Sequence, residues 1–523
     1  TITPSTETPF DVAKYKINNL TWVGNFTQIN KINIFIENID NILDNAKESE
    51  KVTLSQQVNV KKGEAYFLRA LSYHNLARVF GGVPLFNKPN QPTDDFLSMQ
   101  RASFEETINF IVDDCDAAAE LLLEENEMEM GRANKGAALA LKSRILLFAA
   151  SDLTADGNAK NKYVGYENPN RTELWTAAKN AAKDVINLGI YSLEDLGSES
   201  AEIGYNYMDL FRRKDYSSTE HIWGRLYTDP DFWHKIMWMN GPNGQYNVAI
   251  NTPTQNLVDA YQMDDGTDFW DHFELDDNYY YVNKSSKYLS DNPYHNRDPR
   301  FYGTILYDSA KFQPRITEAL QIRDPLGIYE RRDRIFIEDG IVVNEIPAID
   351  GHKGPIYYTE ASWTGYCIFK YMDPDIISID VQNQLDHAYI EFRYAEVLLN
   401  YVEACLGLGQ EEEAREYINL IRNRAGMPDC TGDLEEALRY ERRIELAIEE
   451  TRFFDIRRWK ILDEAMVDVK GIRIIETHED EDVKTTWQQI HVQDRIANEK
   501  MYWIPIHQNE IDRAPQLIQN PGY

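Results

Sequence analysis

The stretch that most constrains this chain runs from Tyr66 to Phe86 and reads YFLRALSYHNLARVFGGVPLF. Tyr66, Ala70, Tyr73, Ala77 and Phe80 recur at steps of 4, 3, 4 and 3, the period of one helix face. Phe67, Leu68, Leu71, Leu76 and Val79 spread the apolar surface well beyond that stripe. A helix apolar over so wide an arc must pack on two sides, so the chain has to build layers of helices. Gly81-Gly82-Val83-Pro84 cannot continue the helix and turns the chain outward. Arg69 and Arg78 need partners if they are buried, and the glutamate-rich faces of other helices are expected to supply them.

The helical period recurs. Ile29, Ile32, Ile36, Ile39 and Leu43 step by 3, 4, 3 and 4, as do Ile108, Ile111, Cys115, Ala118 and Leu122. Trp175, Ala178, Ala182 and Val185 repeat it. Ser103, three residues before Glu106, predicts a capping box. RANKGAALALKSRILLFAAS predicts a buried helix. From about Ile222 to Asp386 the texture changes: Gly, Pro, Asn and Asp become frequent, and short β-like runs appear, such as RIFIEDGIVVNEIP with its Asp-Gly turn. Helices return near Tyr389 with YIEFRYAEVLLNYVEACLGLGQ, EEEAREYINLIRNRAGMP and DLEEALRYERRIELAIEETRFFDIRRWK. Helix pairs joined by Gly-containing turns are the layout of helical-repeat proteins, although the tetratricopeptide consensus does not recur. THEDEDV, Thr477 to Val483, is predicted to be a solvated loop.

Composition narrows the chemistry. Lys and Arg number 54 against 86 Asp and Glu, a net charge of −32, which repels phosphate backbones and argues against a nucleic-acid partner. Cys115, Cys367, Cys405 and Cys430 show no CxxC spacing and are expected to be free, buried thiols. No apolar run reaches the roughly 18–20 residues that span a bilayer. Gly136 to Ala150 comes nearest and is broken by Lys142, Ser143 and Arg144. Arg393, Glu396, Asn400 and Glu403 step by 3, 4 and 3, and Glu441, Glu445, Glu449 and Arg452 by 4, 4 and 3. Carboxylates laddered on one helix face beside arginines form ion pairs; glycosidase chemistry needs two carboxyls facing each other across a cleft. No HExxH, phosphate loop, nucleophile elbow or dinucleotide fingerprint occurs, and Asp264, Asp265 and Asp268 do not fit an EF-hand loop. The chain is therefore read as a binding protein with no catalytic residues, cofactor or metal.

Five of the ten tryptophans, Trp223, Trp233, Trp238, Trp270 and Trp363, fall in the loop-rich part. Trp270 to Tyr294 reads WDHFELDDNYYYVNKSSKYLSDNPY, mixing aromatic rings with Asn, Asp, Lys and Ser. Such rings either pack the irregular region onto the helices or bind a partner with apolar faces and polar edges, as a pyranose has.

GEAYFLRALSYHNLARVFGGVPLF, RANKGAALALKSRILLF, NTPTQNLVDAYQMDDGT, RDPRF, FRYAEVLLNYVEACLGLGQ, INLIRNRAGMP, ERRIELAIEETRFFDIRRWK and WIPIHQNEIDRAPQLIQNPGY together resemble the SusD/RagB family, in order and over nearly the whole chain. The resemblance implies an all-α fold of tetratricopeptide-like helix pairs with a large loop-rich insertion carrying short β-hairpins. On this chain it implies one domain, with helical parts at 1–221 and 387–523 and the ligand-binding part at 222–386. It further implies a glycan ligand, or a peptide in some members, and a SusC-like TonB-dependent transporter as partner. It places the protein on the extracellular face of the outer membrane, held by a lipid on an N-terminal cysteine. The first cysteine here is Cys115, so that anchor is expected ahead of Thr1. An alternative within the family is an adaptor with little ligand affinity of its own. Trp270, Tyr279, Tyr280, Tyr288 and Trp363 are the expected stacking platforms, with Asn87, Asn90, Asp277 and Asn283 as hydroxyl partners. Lys284, Lys287 and Arg297 are the basic groups through which an acidic chain would tolerate an anionic sugar.

Overall fold

Wide apolar faces give stacked helices. In the computed structural model, which describes residues 21–214, 217–227, 234–356, 360–376 and 385–523, each long helix packs on the next. Lys51–Phe80 packs on Phe104–Leu121, that helix on Lys135–Ala150, and Lys135–Ala150 on Arg171–Asn187. Arg171–Asn187 then packs on Tyr394–Gly407, which carries Glu411–Arg424 and Leu434–Glu445. The helical stack thus continues across the intervening loop-rich part, and one hydrophobic core runs from Trp22 to Leu517. Trp233 lies outside the described residues.

The second half of Lys51–Phe80 is buried on several sides, through Phe67, Ala70, Tyr73, Leu76 and Phe80, whereas Leu68 faces solvent. Burial of each such large side chain is worth about 1.5–3 kcal/mol. The Ser103 hydroxyl accepts from the Glu106 N–H at 3.1 Å, and the Glu106 carboxylate accepts from the Ser103 N–H at 2.7 Å, closing the expected capping box. All four cysteines are free and buried. Arg69 is buried, but its partner is an aspartate. Its Nε and Nη2 each donate to Asp114 at 2.7 Å, from the neighbouring helix, and Nη1 donates to Asn33 at 2.8 Å. Arg78 donates to Asn75 at 2.9 Å and lies over the Phe454 ring. Arg69 meets no glutamate ladder, whereas Arg78 lines a buried polar cavity with Glu396 of the ladder and with Glu391 and Glu450, and among the described residues it forms no direct ion pair with them.

The loop-rich part is fixed to the helices by a buried ion network. Arg300 reaches Asp298 at 2.7 Å, Glu441 at 2.7 Å and Glu445 at 3.0 Å. Arg393 reaches Glu220 and Glu445 at 2.7 Å and Glu449 at 2.6 Å. Arg424 joins Glu220 to Glu445, Arg422 pairs with Glu441 at 2.7 Å, and Lys370 with Glu449 at 2.6 Å. Five cations meet five carboxylates, so within this network every charge faces an opposite one.

Three local expectations are corrected. Tyr389–Arg393 is a strand, paired antiparallel with His221–Arg225, and the helix starts at Tyr394. The helix expected to run on from Leu434 stops at Glu445 and resumes at Arg452, with Ile448 at φ 69° and Glu450 at φ 62° between. THEDEDV is mostly strand: Val469–Glu479 and Asp482–Gln493 form a long hairpin with its turn at Asp480 and Glu481. Alternating Ile, Thr and Val on both sides of the acids favour it. Arg332–Glu338 joins this hairpin in parallel and Ile341–Ile346 forms the outer strand of a four-stranded sheet. Their Asp339-Gly340 turn has φ of 50° and 75°, both left-handed, as the Asp-Gly pair predicts.

Candidate functional site

Trp270 lies on the short helix Phe269–His272, which leads into a small hairpin, Phe273–Leu275 with Tyr281–Asn283. Alternation along the second strand turns Tyr281 inward. Trp270 stacks on Tyr281 at 6.0 Å between centroids and 17°, and remains 41% exposed. Phe269 and Phe273, stacked at 4.7 Å, stand behind. The Tyr281 hydroxyl donates to Asp259 at 2.9 Å, and Gln255 Nε2 donates to the same carboxylate at 2.7 Å. Burial pushes the Asp259 carboxyl up to about 6. Trp270 is therefore a half-exposed ring on a fixed aromatic backing.

The hairpin turn holds Tyr279 and Tyr280. Asp276 Oδ1 accepts from the Asn278 and Tyr280 N–H groups, both at 2.9 Å, and Tyr279 takes a left-handed φ of 65°. The turn is docked on the long hairpin: the Gln489 N–H donates to the Tyr279 carbonyl at 2.8 Å, and Gln488 Nε2 to the Asn278 carbonyl at 3.0 Å. Tyr279 is 62% exposed, Tyr280 half-buried, and Asp277 and Asn278 exposed beside them.

Other expected residues serve the loop itself. Tyr288 is only 7% exposed, and its hydroxyl donates to Asp264 at 2.6 Å. Asn283 donates to the carbonyls of Tyr288 at 2.7 Å and Ser290 at 2.8 Å. Arg297 is buried and donates to the carbonyls of Pro293, Val258 and Tyr261, while Lys287 is paired with Asp265. Of the three expected basic groups, Lys284 and Lys287 are exposed.

Trp363 is 66% exposed, its ring 4.1 Å from His352. The carbonyl of the next residue, Thr364, accepts from Ile472 on one side of the long hairpin, while Tyr280 bridges to Gln488 on the other. Three strand spacings separate these backbones, roughly 14 Å. Asn87 and Asn90 are also exposed, but on a different support. Their turn hangs from the Trp22–Asn38 helix, where Asn33 donates to the carbonyls of Phe86 and Lys88 at 3.0 Å and Asn30 accepts from the Asn90 N–H at 2.8 Å. Among the described residues no hydrogen bond or ring contact joins that turn to the aromatic hairpin. Asp259, Tyr281 and Gln489, which brace the platform, were not among the expected residues; the alternation of the strands is the signal that points to Tyr281.

The comparisons agree across the chain. A family model described as "SusD family" matches residues 208–523, and one described as "Starch-binding associating with outer membrane" matches residues 5–147. SusD-like protein P25 of Formosa agariphila is 23% identical over 463 residues, covering 86% of this chain and 72% of its own. The crystal structure of a SusD-like protein from Bacteroides fragilis superimposes with a TM-score of 0.70 at 28% identity, covering 96% of this chain and 85% of the other. A second from the same species, described as a SusD-like carbohydrate binding protein, gives a TM-score of 0.67 at 25% identity, covering 95% and 85%. With a family model spanning more than half of its length, the chain belongs to the SusD family.

Proposed function

We propose that this protein is a non-catalytic glycan-binding protein that captures oligosaccharide and passes it to a SusC-like TonB-dependent transporter, working at the outer face of the outer membrane through a lipid anchor ahead of Thr1. The carrying observation is Trp270, half-exposed and stacked on Tyr281, with the exposed ring of Tyr279 on the turn of the adjoining hairpin. A pyranose stacks its C–H face on such a ring, and Asp277 and Asn278 stand close by for its hydroxyls. The carbohydrate-binding relative from Bacteroides fragilis supports the ligand class, and the starch-binding family description supports the membrane association. In this reading residues 222–386 form the ligand-binding part, with Trp270, Tyr279 and Tyr280 as the primary platform. Trp363 is a second contact for longer chains. Tyr288 and Asn283 hold the loop, and Asn87 and Asn90 belong to a separate patch.

Calorimetry against a panel of neutral and acidic polysaccharides tests this. Trp270→Ala with Tyr279→Ala is expected to weaken the bound glycan at least tenfold, about 1.4 kcal/mol, with an unchanged melting temperature. Trp363→Ala is expected to weaken long oligosaccharides and spare short ones. Glycan affinity unchanged by the double substitution would remove this site. Binding of peptides and of no glycan would favour the peptide-binding alternative.

A further inference from the structure

The four-stranded sheet carries a second exposed feature, away from the aromatic platform. Arg332–Glu338 runs parallel to Val469–Glu479, with Ile337 opposite Glu479, so the turns that follow these two strands lie side by side. One turn brings Glu338 and Asp339; the other brings Glu479, Asp480, Glu481 and Asp482. All six acids are exposed. Adjoining them, the outer strand Ile341–Ile346 is exposed from Ile341 to Glu345. Among the described residues no backbone group pairs with its outer edge.

Ile341, Val342 and Val343 are consecutive β-branched residues, all at least half exposed, so both faces of this strand and its edge are uncovered. A free edge of this kind is a template for another strand, and proteins usually blunt it with Lys or Pro. IVVNEI contains neither.

We propose that this edge binds an extended, positively charged polypeptide segment of a partner protein, which adds as a fifth strand. Main-chain hydrogen bonds along the free edge supply affinity, and the apolar side chains receive alternate residues of the segment. The paired acidic turns attract its Lys and Arg and set its direction. Other occupants fit less well. A glycan wants open ring faces, and the one ring of this hairpin, Phe336, is covered by the His478 imidazole at 4.5 Å. A second copy would set six acids against six, on chains of net charge −32. The first twenty residues of this chain carry Lys14 and Lys16 against Glu7 and Asp11, so their side chains bring no net positive charge.

Fluorescence anisotropy with a labelled peptide of alternating Lys and Val tests the assignment on the intact protein. The Lys–Val peptide is expected to bind, its Glu–Val counterpart not to bind, and added salt to weaken the complex. The Lys–Val peptide N-methylated at alternate residues keeps its charge but cannot pair along an edge, and is expected to lose at least tenfold. Asp480→Lys with Glu481→Lys, on an exposed turn, is expected to lose a similar factor while glycan binding stays unchanged. Equal binding of the N-methylated peptide, no effect of the lysine pair, no binding of the Lys–Val peptide, or a dimer in sedimentation that Val343→Lys dissociates would each overturn the proposal.

Discussion

At Gly81 the helix Lys51–Phe80 ends with φ at 79°, and an added Cβ would lie 2.1 Å from the Tyr163 carbonyl oxygen. Gly189 has a similar φ of 68° but nothing within 4 Å of that position. Gly189→Ala is therefore expected to cost only the left-handed strain of an L-residue, about 1–2 kcal/mol. Gly81→Ala adds a backbone clash and is expected to cost more. Urea unfolding of the two variants separates the effects, and equal losses would refute the role given to Tyr163. Asp259 makes a second residue-scale test. Its carboxyl stands at about 6 in the fold against an ordinary 3.8, so the folded chain takes up the proton before the unfolded one does. Stability from this group is absent above about pH 6 and grows as pH falls toward 4. The stability of the wild type relative to Asp259→Asn is thus expected to rise by ~2 kcal/mol between pH 7 and pH 4.5. Parallel pH profiles for the two proteins would contradict it. The exposed ring of Trp270 was legible in the sequence because aromatic density marks it. The carboxylate behind Tyr281 was not, because Tyr281 and Gln489 reach Asp259 from 22 and 230 residues away along the chain.

Among the elements, those fixed by their own residues were legible and those fixed by distant partners were not. The capping box at Ser103, the Gly81 stop and the Asp339-Gly340 turn are all set by side chains or φ angles within a few residues. The strand at Tyr389–Arg393 exists because His221–Arg225 pairs with it, across more than 160 residues of chain. The break after Glu445 has no Gly or Pro to announce it. It brings Glu449 alongside Glu445, where Arg393 and Lys370 bind the pair. The carboxylate ladder was nevertheless readable as an ion-pair device, and its weight can be measured. Glu445 serves Arg300, Arg393 and Arg424 in a fully buried setting. Glu445→Gln leaves these cations one carboxylate short and is expected to destabilise by about 3–5 kcal/mol. Glu435→Gln, which breaks only the surface pair with Arg439, is expected to stay within about 0.5 kcal/mol. Comparable chemical-denaturation midpoints for the two variants would show that the network does not fasten the loop-rich part to the helices.

For the molecule as a whole, two electrostatic effects oppose each other. Opposite charges are paired locally, most tightly in the buried network, yet 86 acids against 54 bases leave a net charge of −32. Salt screens exposed charges over about 8–10 Å at physiological strength and reaches buried pairs far less. Surface pairs such as Arg439 with Glu435 therefore weaken with salt, but each contributes little. The excess negative charge repels itself across the whole surface, and the compact state concentrates it, so screening this repulsion favours folding. Because the strongest pairs are shielded by burial while the unbalanced charge is exposed, relief of repulsion outweighs loss of pairing. The melting temperature is expected to rise by a few degrees between about 20 mM and 200 mM sodium chloride. Glu445→Gln is expected to shift the curve down without changing that slope. A melting temperature that falls with salt would mean that surface pairing, rather than the buried network, carries the electrostatic stability of the fold.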